Sequence, residues 1–165
     1  MQVNFFNSIY AQTTNAKDFG LCDDQNLTPA YIDITDISKW VAQVVNHRNK
    51  TATFYPIDNC ITTLRPDNSM DNRCDGLLKH DNNLIFIELK DRDSQGWVSD
   101  GLLQLKSSIE HFKKAHPEIL CTSTIKAQLC NKQRPKAVTA CNVARARFKD
   151  ETGYIADINR VIELK

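Results

Sequence analysis

The stretch CDGLLKHDNNLIFIELKDR, residues 74–92, decides how this chain is read. Its second half, Leu84–Lys90, is an apolar run of strand-favouring residues that ends in a glutamate and a lysine. Side chains alternate along a strand, so Ile85, Ile87 and Leu89 share one face while Phe86, Glu88 and Lys90 share the other. An otherwise apolar face that closes on two charges needs a partner or a use for them.

The first half of the stretch predicts a partner strand at about 75–80, with polar turn residues around 80–83. That is a hairpin signal. With Asp81 and Asn82 as the turn, His80 pairs with Asn83, and Asp75 falls opposite Glu88 on the same face, roughly 5 Å away. A two-residue shift of the turn would set Asp75 opposite Lys90 and keep the face. Only an odd-length loop or a bulge would break the arrangement. Two carboxylates held that close repel unless a cation or proton sits between them. Oxygen ligands completed by water suit Mg²⁺ or Mn²⁺. Lys90 stands where it could orient a water or stabilise charge on a phosphate.

Outward from the hairpin, Val98, Leu102, Leu105, Ile109 and Phe112 recur at helical spacing, and Pro117 marks the end of that helix. Upstream, Ile37, Trp40, Val41, Val44 and Val45 also fit one helical face, predicting a helix from a cap at Thr35 or Asp36 to near Asn49. A strand is expected at about 51–57 and a turn-rich loop at 66–73. Beyond the central helix come a strand at about 124–130, a basic loop, a helix at about 138–150 and a last strand at about 154–164. Residues 1–30 carry an apolar patch around Phe5, Phe6 and Ile9 but no clear element. The order is α-β-β-β-α-β, then α-β, and no inter-domain linker is visible.

Asp75, then Glu88-Leu89-Lys90, in that order of elements, resembles the PD-(D/E)XK superfamily of restriction-endonuclease-like enzymes. The resemblance covers roughly residues 35–131. It implies an α/β fold with a mixed central sheet flanked by helices, and metal-dependent hydrolysis of phosphodiester bonds, with DNA the expected substrate. It also implies that Asp75, Glu88 and the backbone carbonyl of Leu89 hold Mg²⁺ or Mn²⁺, and that Lys90 assists the attacking water. Gln104 occupies the helix position where the family often carries a supporting Gln. The chain departs from the family pattern in three places. Cys74 stands where Pro is common, Ser108 stands where a Tyr is sometimes found, and residues 37–47 offer no acidic ligand beyond Asp36 at the helix cap.

As text the motif is weak, since Ile-Glu-Leu-Lys occurs twice, at 87–90 and at 162–165, and Asp150 precedes Glu163 by thirteen positions just as Asp75 precedes Glu88. The first copy is favoured because a helix and a strand follow it. A literal Pro66–Asp67 lies in the loop, where nothing fixes its carboxylate against a strand. The alternative for the trio is a surface hairpin with a cross-strand ion pair of small energetic worth. A catalytically silent domain of the same fold, binding a protein or nucleic acid within a larger assembly, is the alternative function.

The bulk properties agree with a single domain: 165 residues and 41% hydrophobic content suffice for one core. The expected divisions are an N-terminal extension at 1–30, the core at about 35–131 and a basic α-β addition at 132–165. No apolar run approaches the roughly 20 residues of a membrane helix, and the opening MQVNFFNSIYAQ does not read as a secretory leader. A cytoplasmic protein is expected, with its six cysteines reduced. The net charge of +1 divides into −5 over residues 1–100 (9 Lys/Arg against 14 Asp/Glu) and +6 over 101–165 (12 against 6). An acidic front and a basic back suit a protein that holds a cation and faces a polyanion. Lys132, Arg134, Lys136, Arg145, Arg147 and Lys149 are therefore the candidate phosphate contacts. A homodimer, or a subunit of a defence or repair complex, is the expected setting.

Overall fold

Strand β7 (Asn83–Lys90) is the axis of the computed structural model, which describes residues 2–134 and 141–165. It pairs antiparallel with β6 (Gly76–His80) in the expected register, His80 opposite Asn83 and Gly76 opposite Ile87. It pairs in parallel with β8 (Thr124–Asn131) on its other side. The 19-residue helix α1 (Trp97–Ala115) makes that parallel crossover. Strand β5 (Ala52–Pro56) extends the sheet beyond β6, and β1 (Gln12–Thr14) and β9 (Ala156–Ile158) close its edges, giving the order β1-β5-β6-β7-β8-β9.

Both faces of this mixed sheet are covered, which is why β7 is buried almost along its whole length. On one face, Leu84 and Phe86 pack with Leu102, Leu105, Ile109 and Phe112 of α1 and with Phe148 of the second helix α2 (Asn142–Thr152). Phe5 completes that core edge-on to Phe112, with ring centroids 5.4 Å apart. On the other face, Ile85, Ile87 and Leu89 meet a second, four-stranded sheet. Its order is β10-β4-β2-β3, from β10 (Val161–Glu163), β4 (Ala42–Val45), β2 (Asp18–Cys22) and β3 (Tyr31–Asp33).

That second sheet replaces the helix expected over residues 37–49. One 3-10 turn forms, Ile37–Lys39, capped by Asp36 accepting from the Ser38 amide at 3.1 Å. Trp40 is already extended, and its indole N–H is held by Asp33 at 2.8 Å. From Ala42 the chain runs as a strand because β2 and β10 offer partners on both sides, and its β-branched valines suit a pleated surface. Ile37, expected on the buried face, is 69% exposed. The sheet is thus flanked by helices on one face only.

Two further expectations change. The strand expected at 154–164 divides at Asn159–Arg160 into β9, which joins the main sheet, and β10, which joins the second. Residues 12–22 are not an extension but supply β1 to one sheet and β2 to the other. Two glycines allow close approaches beside the hairpin. A Cβ on Gly76 would lie 2.1 Å from the Phe54 ring, and one on Gly101 would lie 2.5 Å from a Leu129 methyl, holding α1 off the sheet. All six cysteines are free thiols, four of them buried. Among the described residues no helix is long and apolar enough to cross a membrane.

Candidate active site

The hairpin register carries Asp75 to the position just before β6, level with Glu88. There Asp75 Oδ2 accepts the Leu89 backbone N–H at 2.6 Å. That amide lies beyond the last paired residue of β6, so the carboxylate supplies the bond that a longer strand would have made. Glu88 and Lys90 project on the α1 side of β7, and Glu88 is only 2% exposed. One carboxylate oxygen of Glu88 meets the Lys90 ammonium at 2.6 Å. The other, Oε2, is buried with no hydrogen-bond partner among the described residues.

Helix α1 completes the arrangement through Gln104. Its Oε1 accepts from Lys90 Nζ at 2.6 Å, and its Nε2 donates to the Arg73 carbonyl at 3.1 Å. The amide therefore ties the ammonium to the segment that leads into Asp75. These side chains line one cleft of about 490 Å³, together with Leu89.

Burial decides the electrostatics. It pushes the Glu88 carboxyl up to about 7, against the pull of the adjacent Lys90 ammonium. It drives Asp75 well above the ordinary carboxylate range, and the negative charge of Glu88 adds to the effect. Two acids that resist ionising together, one with an oxygen unpartnered among the described residues, call for a cation or a proton between them. The chemistry of the lining fits a hard divalent cation, which takes carboxylate and backbone oxygens, and Asp75, Glu88 and Leu89 line the same cleft. Among the described residues no group of three or more His, Cys, Asp or Glu side chains converges as a ready-made metal site. Asp75 and Glu88 each turn one oxygen toward a partner within the chain, the Leu89 amide and Lys90.

The cleft holds acids that the sequence did not single out. Asp58 follows β5 and takes a two-pronged contact from Arg73, at 2.9 and 3.1 Å. Extending the β5–β6 register past Pro56–Gly76 sets Ile57 opposite Asp75, and strand alternation would turn Asp58 to the other face, so it is the end of β5 that lets Asp58 reach the cleft. Asp23 follows β2, in the segment where no element was expected, and its carboxyl is raised by burial first. Asp36, the acid considered for the absent helix, caps the 3-10 turn instead. His111 pairs with Asp71 at 2.9 Å, and His80 is buried in β6.

The basic residues are not gathered at the cleft. Lys132 Nζ donates to the Ser38 carbonyl at 2.5 Å, and Arg134 pairs with Asp93. Arg145 donates to the Ala156 carbonyl at 3.1 Å, and Arg147 pairs with Glu151 at 2.8 Å. Lys149 is exposed on α2, and Lys136 lies outside the described residues. None of the five described lines the cleft. Glu163 of the second motif copy is exposed on β10, in the other sheet, and Asp67 is spent on Ser69 within its loop. Comparisons with family models, with curated proteins and with solved structures find no match.

Proposed function

We propose that this chain is a Mg²⁺- or Mn²⁺-dependent nuclease of restriction-endonuclease-like architecture, hydrolysing phosphodiester bonds, with DNA as the expected substrate. One observation carries the proposal. The Asp75 and Glu88 carboxyls and the Lys90 ammonium share one cleft, and a buried oxygen of Glu88 has no partner among the described residues. The run of three antiparallel strands, helix α1 and a parallel strand supports the same reading, with the second sheet standing where the family would place its first helix.

Asp75, Glu88 and the Leu89 carbonyl would hold the cation. When bound, it would neutralise the two carboxylates and polarise a phosphodiester oxygen. The chain's own groups do the rest. Lys90, pinned between Glu88 and Gln104, offers a fixed positive charge to an attacking water or to the charge that develops on phosphorus oxygens. Gln104 keeps that ammonium from swinging into solvent. Lys132, Arg134, Lys136, Arg145, Arg147 and Lys149 would supply phosphate contacts away from the chemistry, exchanging their present partners for phosphate where they have them.

The test is incubation of plasmid and linear DNA with Mg²⁺, Mn²⁺ or EDTA, using the wild type, Glu88→Ala and Glu163→Ala. Cleavage that needs the metal, disappears with Glu88→Ala and survives Glu163→Ala is expected. Equal cleavage by wild type and Glu88→Ala would sink the proposal. Metal binding without any cleavage would favour the alternative, a catalytically silent domain that binds a partner.

A further inference from the structure

The segment leading into Asp75 has little regular structure of its own, yet it sets where that carboxylate stands. Residues 71–74 belong to no strand or helix. They are held by one stripe of α1, residues 104, 108 and 111, spaced by four and three as one helical face requires. Gln104 donates to the Arg73 carbonyl at 3.1 Å. Ser108 Oγ accepts the Cys74 backbone N–H at 2.8 Å. His111 meets the Asp71 carboxylate at 2.9 Å.

The middle contact is the most demanding of the three. Ser108 and Cys74 are both fully buried. Without the hydroxyl, the Cys74 N–H would face no acceptor, and a buried unpaired amide costs about 1–3 kcal/mol or moves to find a partner. Any movement of Cys74 is passed on to the next residue, Asp75. Asp75 Oδ2 in turn closes on the Leu89 N–H, the amide between Glu88 and Lys90.

We propose that Ser108 is a positioning residue for the candidate active site: by anchoring the Cys74 amide it fixes Asp75 against the Glu88–Lys90 strand end. The proposal rests on the nuclease reading only for its consequence, since the geometry is independent of the chemistry. Ser108 touches no reacting atom in this scheme and acts through the backbone.

The experiment pairs Ser108→Ala with a second route to the same backbone. Proline at position 74 has no N–H to satisfy, and removal of the Ser108 hydroxyl leaves room for its ring. Ser108→Ala, Cys74→Pro and the double variant are compared with wild type. Hydrogen exchange of the Leu89 amide is measured by NMR against those of Ile85 and Ile87 in the same strand, and Mn²⁺ affinity is measured by calorimetry. Ser108→Ala should speed exchange at Leu89 selectively and weaken Mn²⁺ binding by about 10- to 100-fold, the usual effect of losing a group that orients a ligand. The double variant should recover Leu89 protection relative to Ser108→Ala alone. A wild-type Leu89 amide in Ser108→Ala, or exchange that rises equally along β7, overturns the proposal. DNA cleavage is scored separately. Selective loss and recovery at Leu89 in a protein that cleaves nothing would uphold the positioning role while the nuclease reading fails.

Discussion

The chain contains the same tetrapeptide twice, and the two copies have opposite fates. Ile87-Glu88-Leu89-Lys90 ends the central strand β7, and Ile162-Glu163-Leu164-Lys165 forms the short edge strand β10 and the residues after it. Both copies obey the same alternation. Ile87, Leu89, Ile162 and Leu164 all enter the one core between the two sheets. The difference lies on the other face. Helix α1 covers it at β7 and forces Glu88 into the interior, while at β10 no element among the described residues covers it and Glu163 faces solvent. A motif of this kind gains chemistry from what packs over it, not from its letters.

The largest expected effect follows from that contrast. Glu88→Ala should lower DNA cleavage by on the order of 10³-fold, comparable to removing one preorganised electrostatic group from an active site. Glu163→Ala should leave the rate within about twofold, since exposed side chains away from a site rarely matter. Initial-rate assays at saturating Mg²⁺ check both, and a similar loss from both variants would erase the distinction between the copies.

The cover itself can be attacked next. Phe112 of α1 is fully buried against Phe5 and Phe86. Phe112→Ala should cost about 3–5 kcal/mol of unfolding free energy, as large aromatic truncations in cores do. Val161 on β10 is 37% exposed, and Val161→Ala should cost well under about 1 kcal/mol. Urea denaturation of the two variants measures the difference. Equal costs would mean that α1 is not the element that distinguishes β7 from β10.

The parts of the fold legible in the sequence were those with one unambiguous period. The β6–β7 hairpin was fixed by turn residues and alternation, and α1 by five apolar residues at helical spacing, so Asp75, Glu88, Lys90 and Gln104 could be placed together in advance. Residues 37–45 were not legible, because Val41, Val44 and Val45 satisfy the helical period while Ala42 and Val44 also satisfy the strand period. Pairing with β2 and β10 decided between them, and that information is non-local. Asp23 was hidden for the same reason, since β2 has no identity without the second sheet. Cys74 and Ser108 were visible only as departures from a family pattern. The structure joins them by a hydrogen bond across 34 residues, a non-local contact that neither residue announces in the sequence.

A pH series sharpens the contrast from the electrostatic side. The Glu88 carboxyl sits near 4.5 when unperturbed and is raised to about 7 by burial in the fold. Between those values the folded Glu88 binds more proton than the unfolded one, so its contribution to stability should fall as pH rises from about 4.5 to about 7 and level off above it. The raised Asp75 carboxyl acts in the same direction. Asp33 is lowered to about 2, chiefly by the Trp40 indole N–H, and its opposite effect is spent at more acidic pH, whereas His80, lowered from 6.5 by burial, opposes the decline within the window in both wild type and variant. Glu88→Gln should therefore flatten the decline, and Mg²⁺ should offset it in the wild type at neutral pH by favouring the ionised pair. Thermal melts across the range, with and without Mg²⁺, read both. Equal slopes for wild type and Glu88→Gln through that window would mean that Glu88 is better solvated than its 2% exposure implies.

The smallest effect belongs to the second copy. Ile162 and Leu164 anchor β10 in the core, and its backbone pairs in parallel with Gln43–Val45 of β4 whatever side chain lies between them. Among the described residues Glu163 takes part in no ion pair or side-chain hydrogen bond. Glu163→Thr should consequently change the unfolding free energy by no more than about 0.5 kcal/mol, with any gain coming from the better fit of a β-branched residue to a strand. Chemical denaturation resolves a change of that size only as a shared slope with a barely moved midpoint. A loss well above about 1 kcal/mol would require a partner for Glu163, and the outer face of β10 could then no longer be called uncovered.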